Sequence, residues 1–213
     1  MTDHPPKFRR KPAEIRRDAL ISATLELVAE AGVRGATVRE IANRANVTQG
    51  MIRHHFSSKD DLIAAAYEQH MDRMTTNTVV LSGTSGKTAR ENLVNFITAS
   101  LVPPVVDAKS VSLWASFLNK VRADAHMRAI HERTYHRFRD MLESLISTAL
   151  RDAEIVKTPH ELRRLSIAAN AIIDGLWLEG GALPDAFGPD ELPSIGVASI
   201  AAIIGIPLKE KST

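Results

Sequence analysis

Residues 37–59 read Thr-Val-Arg-Glu-Ile-Ala-Asn-Arg-Ala-Asn-Val-Thr-Gln-Gly-Met-Ile-Arg-His-His-Phe-Ser-Ser-Lys, and this stretch decides the fold. It predicts two short helices joined by a tight turn, because apolar residues recur at helical spacing on both sides of Asn46. Thr37 and Glu40 have the form of a capping box at the start of the first helix. Asn46 tolerates the left-handed backbone that the turn needs, and Thr48 is expected to cap the second helix. Two stacked helices of this kind suit the DNA major groove.

A further helix precedes this pair, and basic residues precede that helix. Residues 13–31 carry an apolar stripe at helical spacing and end at Gly32, where a turn begins. Residues 1–12 contain three prolines, two lysines and two arginines, which predicts a flexible basic arm. The first 60 residues hold 11 Lys/Arg against 7 Asp/Glu, whereas the remainder holds 16 against 18. Because the first 60 residues are basic and the remainder is slightly acidic, we expect only the first 60 residues to contact a polyanion.

The third helix is expected to present one face to DNA. At 100° per residue, Ile52 and Phe56 fall together and should pack on the first two helices. The opposite arc carries Gln49, Gly50, Arg53 and His54. Gln49 and Arg53 lie one turn apart, and their side chains suit adenine and guanine edges; Gly50 lets the backbone approach the duplex closely. Candidate phosphate contacts are Thr48, His55 and Lys59, and Arg39 of the second helix completes the set of candidate DNA contacts. The alternative is a small helical bundle with a solvated polar face.

The rest of the chain predicts more helices and no strand. Ser58 and Asp61 form a second capping-box pattern, which opens a helix that runs to about Leu81. Later helices are predicted over residues 88–102, 105–122, 125–153, 159–181 and 190–205, with a loop over 82–87. Thr158 at the cap, followed by Pro159 and Glu161, is a strong helix start. We therefore predict an all-α fold of about nine helices. A helix-turn-helix DNA-binding domain spans 13–60, and a larger effector-binding and dimerisation domain spans 61–213.

Several other functions are disfavoured by the sequence. The chain has no cysteine, which excludes disulfides and thiolate metal sites, and its most apolar stretch is shorter than the roughly 20 residues of a membrane span; we expect a cytoplasmic protein. Leu81 to Thr88 mimics a phosphate-binding loop but lacks the first glycine and the leading strand. His126, His131 and His136 recur every five residues and wind around their helix, a poor spacing for a metal site. No catalytic set can be argued from spacing, so we expect no enzyme activity and no cofactor.

The helix-turn-helix segment resembles the TetR family of bacterial repressors. The positions that carry the resemblance are Thr37, Ile41, Ala42, Ala45, Asn46, Val47, Thr48, Gly50, Ile52, Phe56 and Lys59. Asn46 stands where the family usually has glycine. Arg53 stands where tyrosine is common, so we expect the usual phosphate contact of that tyrosine to be replaced by a base contact or by a different phosphate contact. The resemblance implies a homodimer on a palindromic operator, with a C-terminal helical domain that senses a small molecule.

Geometry leads to the same homodimer. One helix-turn-helix unit reads only a few base pairs, whereas two units related by a dyad lie about 34 Å apart in successive major grooves. The last two predicted helices carry broad apolar surfaces, and a four-helix seam between two copies would bury them. The residues expected in this seam are Ile195, Gly196, Val197, Ala198, Ile200, Ala201, Ala202 and Ile204. The alternative is that the last helix belongs to the internal core.

Two later segments, 112–117 and 172–178, resemble choline-responsive, betaine-pathway members of the TetR family, which implies a quaternary ammonium effector such as choline. Such a cation needs aromatic faces and a carboxylate, each cation–π contact giving about 0.5–2 kcal/mol when desolvated. The candidate effector residues are Asn170, Asp174 and Trp177 on the eighth helix, Trp114 and Phe117 on the sixth, and Tyr135 on the seventh. Core packing is the alternative role for these aromatics. Two alternative functions stay open. One is a repressor of the same type that responds to another small hydrophobic ligand, and the other is an architectural DNA-binding protein without an effector.

Overall fold

The computed structural model describes residues 13–83 and 88–208, and these residues form nine α-helices and one short 3₁₀ helix. The helices are α1 Ala13–Gly35, α2 Val38–Arg44, α3 Gln49–His55, α4 Lys59–Ser82, α5 Ala89–Ser100, α6 Ala108–Ala123, α7 Ala125–Asp152, α8 Pro159–Ala182 and α9 Glu191–Ile204, with the 3₁₀ helix at Pro184–Ala186. The all-α prediction is confirmed. The predicted basic arm, residues 1–12, and most of the predicted loop over 82–87 lie outside the described residues.

The chain divides into two compact units, with the boundary inside α4 between Tyr67 and Glu68. In the first unit, α2 packs on both α1 and α3. Its core is mostly aliphatic, with the rings of Phe56 and Tyr67 also buried, and the buried aliphatic side chains include Leu20, Ile21, Val28, Ile41, Ile52, Leu62 and Ile63. No helix among the described residues combines the length and apolarity needed to cross a membrane.

The turns of the first unit follow the chemistry of their residues. Gly32 has φ 68° and ψ 175°, which breaks the helical path within α1 where the sequence predicts a turn. The Thr37 side chain accepts a hydrogen bond from the Glu40 backbone N–H at 3.2 Å, and Asn46 adopts the left-handed conformation at φ 52°. Thr48 occupies the N-cap position of α3, but its hydroxyl makes no capping bond. The sequence therefore places the N-cap correctly, but the Met51 N–H bonds to the Thr48 carbonyl, at 2.9 Å, and not to the hydroxyl.

The second unit is a helical bundle with α7 at its centre, packed against α5, α6 and α8. Its core includes Leu93, Ile97, Leu142, Ile146 and Ile200. The predicted helix start at Thr158 is present as a capping box, with the Thr158 N–H donating to the Glu161 carboxylate at 2.9 Å. Helix α6 begins at Ala108 rather than at 105, because the N–H groups of Val105 and Val106 bond to the Val102 carbonyl in a turn that ends at the N-cap, Asp107.

Helix α9 corrects part of the predicted dimer seam. Val197, Ile200, Ile204 and Gly196 are buried within one protomer, where α9 packs on α5 and α8. A Cβ added at Gly196 would lie 2.5 Å from Leu101 Cδ1, so this glycine serves close packing inside the protomer. Only the other face of α9 remains exposed, and it includes Ile195, Ala198 and Ala202.

Candidate DNA-reading surface and effector cavity

Helix α3 presents the polar face that its sequence predicts. Gln49, Gly50, Arg53 and His54 are exposed, whereas Ile52 and Phe56 are buried against the rest of the unit. The Thr48 hydroxyl, without a capping bond, lies exposed at the start of this helix. An exposed amide, a guanidinium and a glycine on one short helix can together contact base edges.

The other three candidate DNA contacts, His55, Lys59 and Arg39, are partly buried or interact with other groups of the protein. His55 is half-buried, and burial, followed by the positive charges of His54, Arg16 and Arg17, lowers its pKa. The Lys59 ammonium donates to the Val33 carbonyl at 3.3 Å, which spends one of its three donors inside the protein. Arg39 is exposed on α2, with its guanidinium 3.8 Å from the Glu40 carboxylate.

An ion-pair cluster that sequence reasoning missed joins α2 to α1. The Arg44 guanidinium lies 2.7 Å from the Glu30 carboxylate and 3.2 Å from that of Glu26, and these hydrogen bonds raise the pKa of Arg44. The spacing of the two glutamates, one turn apart on α1, was the available signal. The Arg17 guanidinium also lies over the Phe56 ring, 5.2 Å from its centroid. These contacts link the helices that hold α3 in place.

The second unit contains a cavity of about 70 Å³ that α4, α5, α6, α7 and α8 enclose. Five of the six predicted effector residues line it, namely Trp114, Tyr135, Asn170, Asp174 and Trp177. Phe117 is the exception: it is fully buried on α6 and does not line the cavity. It lies about one turn beyond Trp114 along α6, and its role in effector binding stays a prediction.

Asp174 is the most perturbed group of this cavity. Its Oδ2 atom accepts hydrogen bonds from Asn170 Nδ2 at 2.7 Å and from the Tyr135 hydroxyl at 3.2 Å. Burial raises the pKa of Asp174 to about 6, although both hydrogen bonds and the nearby charge of Arg139 act in the opposite direction. Among the described residues that line the cavity, Asp174 alone can carry a full charge near neutral pH.

Aromatic rings form the wall beside this carboxyl group. Trp114 and Trp177 meet edge to face, with ring centroids 6.1 Å apart and planes at 79°. The Trp177 indole N–H donates to the Val105 carbonyl at 2.8 Å, which fixes the orientation of the ring. A carboxylate beside fixed aromatic faces is the environment that attracts an organic cation.

Sequence reasoning missed the side of the cavity that α4 provides. Met71, Met74, Thr75 and Thr78 all line it from that helix. Their spacing of i, i+3, i+4 and i+7 marks one helical face, so the signal was present but did not distinguish a cavity from ordinary core. Across the described residues, no three His, Cys, Asp or Glu side chains are grouped closely enough to hold a metal ion.

Comparison with known proteins agrees with both parts of the chain. Residues 20–66 match the family described as bacterial regulatory proteins, tetR family, and residues 89–205 match the family described as BetI-type transcriptional repressor, C-terminal. The HTH-type transcriptional regulator BetI of Burkholderia ambifaria is 30% identical over 167 residues, which cover 78% of this chain and 82% of that protein.

Solved structures are similar as well. A transcriptional regulator of Pseudomonas aeruginosa PAO1 is 29% identical, with a TM-score of 0.84 over 93% of this chain and 95% of that one. A regulator of Saccharomonospora viridis, crystallised in complex with choline, shares the fold at 20% identity, with a TM-score of 0.69 over 90% of this chain and 96% of that one.

The curated relatives are transcriptional regulators and not enzymes, in agreement with the function that the sequence predicts. The match to the C-terminal family covers more than half of the chain, and the match to the N-terminal family covers α2 and α3. The chain therefore belongs to the TetR family of DNA-binding transcriptional repressors and carries a C-terminal domain of the BetI type.

Proposed function

We propose that this repressor binds a palindromic operator as a homodimer and releases it when a small quaternary ammonium cation, choline or a close analogue, occupies the cavity of the second unit. The observation that carries the effector assignment is Asp174, a single carboxyl group beside the rings of Trp114 and Trp177, in a cavity that no Lys or Arg among the described residues lines. Because the target is the bacterial chromosome, we place the protein in the cytoplasm.

The size of the cavity supports a small effector. Drug-sized ligands occupy pockets of about 300–1,000 Å³, whereas this cavity measures about 70 Å³. A larger drug or lipid would have to displace several core side chains to enter it. The choline bound by the Saccharomonospora viridis regulator, which shares the fold, agrees with a small cation. The alternative effector is a small uncharged hydrophobic molecule.

The homodimer is supported by an exposed face of small and apolar residues on the last two helices. On α8 this face includes Ala171, Gly175 and Leu178, and on α9 it includes Ile195 and Ala198. A Cβ added at Gly175 would meet nothing within 4 Å, so the space in front of the helix is open. Small residues at this position let two helices approach closely, which suits a symmetric four-helix seam between two copies.

The DNA-reading role of α3 predicts how two substitutions act. Duplexes selected from a random pool should contain an inverted repeat with half-sites about 34 Å apart. Replacing Arg53 or Gln49 by alanine should weaken operator binding by roughly 5- to 150-fold and relax specificity at one base pair per half-site. The matched control is Arg163→Ala, which removes the same charge from an exposed position of the second unit.

Fluorescence anisotropy with full, half-site and base-substituted operators measures these effects. If Arg53→Ala weakens all duplexes equally, Arg53 contacts phosphate rather than a base. If a single half-site binds as tightly as the inverted repeat, the homodimer proposal is contradicted.

The effector proposal can be tested by fluorescence, because both tryptophans of the chain line the cavity. We expect choline to change their emission saturably and to release the operator over the same concentration range. 3,3-Dimethylbutanol, the uncharged isostere of choline, should do neither at that concentration. Glycine betaine, whose carboxylate would enter a cavity that already holds Asp174, should bind more weakly than choline. The choline assignment fails if choline neither changes the emission nor releases the DNA. Equal responses to choline and its isostere would favour the hydrophobic effector.

A coupling route follows from the continuity of α4. This helix begins at Lys59 in the first unit, and in the second unit Met71, Thr75 and Thr78 line the cavity. We propose that the effector shifts the second half of α4 and thereby changes the separation of the two α3 helices in the dimer. Only a few kcal/mol of differential affinity are needed, since about 1.4 kcal/mol corresponds to tenfold in occupancy.

A further inference from the structure

A groove on the surface of the second unit is formed by helices that also line the cavity. The three helices α4, α5 and α7 contribute residues to both. On α4, Thr78 lines the cavity and the next residue, Val79, lines the groove; on α5, Ser100 lines the cavity and Phe96 lines the groove. Side chains of these three helices therefore form the wall that separates the two spaces.

Two phenylalanines meet within this wall. Phe138 of α7 lines the cavity, Phe96 of α5 lines the groove, and their ring centroids lie 5.2 Å apart with the planes tilted by 39°. One ring pair thus reaches from the groove to the cavity.

No hydrogen bond holds the side chains of the ring pair. The Trp177 ring is held by its hydrogen bond to the Val105 carbonyl, and Tyr135 is held by its bond to Asp174. Phe96 and Phe138 have no polar atoms, so only dispersion and ring–ring contact hold their side chains. Rotation of one ring about its side-chain torsions would open the wall without breaking a hydrogen bond.

We propose that Phe96 and Phe138 form an aromatic gate through which the effector passes between the groove and the cavity. The proposal rests on the proposed function, in which the cavity holds a cationic effector. A cation that passes between the two rings contacts aromatic faces there, which replaces part of its lost hydration.

The charges along the groove agree with a cationic effector. Arg133 and Arg137 line it, but their guanidinium groups are paired with the carboxylates of Glu68 and Asp72 on α4. Two further carboxylates of α7, those of Glu132 and Asp140, line the same groove together with the imidazole of His136.

The experiment uses the tryptophans of the cavity in two independent measurements. Phe96→Leu and Phe138→Leu each remove the ring pair while retaining an apolar side chain, and Phe117→Leu, a buried phenylalanine that lines neither space, is the matched control. The first measurement is the rate constant for quenching of the tryptophan fluorescence by acrylamide, which needs no effector. The second is stopped-flow binding of choline.

The two gate variants should raise the acrylamide quenching constant, and the control should not. They should also raise the association and dissociation rate constants of choline together by roughly 2- to 12-fold, because the ring pair must separate when the gate opens. The dissociation constant should change much less than either rate.

Unchanged quenching and unchanged choline rates in both gate variants would overturn the gate and place the entry route elsewhere. A change in the dissociation rate alone would overturn it too, because Phe138 would then be a binding residue. If choline gives no signal in any variant but acrylamide quenching rises in the gate variants, the effector assignment fails and the gate stands.

Discussion

Choline should bind about tenfold more weakly at pH 5 than at pH 8, since the affinity falls as the Asp174 carboxyl takes up a proton. Burial raises the pKa of this group to about 6. The carboxylate that attracts the cation is therefore fully formed at pH 8 and is mostly protonated at pH 5. The bound cation favours the ionised form, so binding at pH 5 should release nearly one proton per choline, and binding at pH 8 almost none. Isothermal titration calorimetry in buffers of different ionisation enthalpy measures both the affinity and the protons released.

Asp174→Asn is the matched control for this pH dependence, because it keeps the shape of the side chain and removes its titration. The variant should bind choline at pH 8 about as weakly as the wild type does at the acid limit, and its affinity should not change between pH 5 and pH 8. 3,3-Dimethylbutanol, if it binds at all, should show no pH dependence with either protein. An affinity of the wild type that is constant over this range would show that Asp174 does not contact the cation.

The parts of the fold that the sequence predicts well depend on neighbouring residues. Asn46 is left-handed and Thr158 caps α8 because each conformation is stabilised within a few residues of the chain. The buried and exposed faces of α3 follow from helical spacing alone. Thr48 shows the limit of such reasoning, because a backbone carbonyl and a hydroxyl compete for the same N–H and the sequence does not state which one bonds.

For the cavity, the sequence predicts contacts within one helix but not contacts between helices. Asn170 and Asp174 lie one turn apart on α8, so their contact is local, whereas the bond from Tyr135 to Asp174 depends on how α7 packs on α8. Phe117 was predicted from the same helical spacing, but it is buried on α6 and is not among the residues that line the cavity. Packing on α5 and α8 decides which apolar residues of α9 are buried and which are exposed. The sequence of α9 alone does not contain that information.

His70 should make the protein sensitive to acid. Its imidazole is 5% exposed, and among the described residues its Nε2 atom has no hydrogen-bond partner. Burial lowers the pKa of His70 to about 4; the charges of Arg73 and Lys109 act in the same direction, and a hydrogen bond with the Ser110 backbone and the charge of Asp107 oppose it. The unfolded chain, with a pKa near 6.5, takes up this proton first as the pH falls. The free energy of unfolding is unaffected above pH 6.5, and it should lose about 3 kcal/mol between pH 6.5 and pH 4.

Asp174 contributes the opposite dependence over nearly the same range of pH. Its pKa is about 6 in the folded protein and 3.8 in the unfolded chain, so the folded state binds the proton first and gains about 3 kcal/mol as the pH falls from 6 to 3.8. The two contributions should nearly cancel in the wild type and separate in variants. Asp174→Asn should lose stability toward pH 4 more steeply than the wild type, and His70→Gln should lose it less steeply or gain it.

Urea unfolding of the three proteins at pH 7, 5.5 and 4.5 measures these slopes, and differences between slopes cancel the titration of groups that all three proteins share. The double variant, which keeps neither group, should follow the wild type. If Asp174→Asn and the wild type lose stability in parallel, the Asp174 carboxyl titrates alike in the folded and unfolded chains. The pH dependence of choline binding would then have to arise from another group. The unfolding slopes therefore test, without any ligand, the perturbed carboxyl group on which the effector assignment rests.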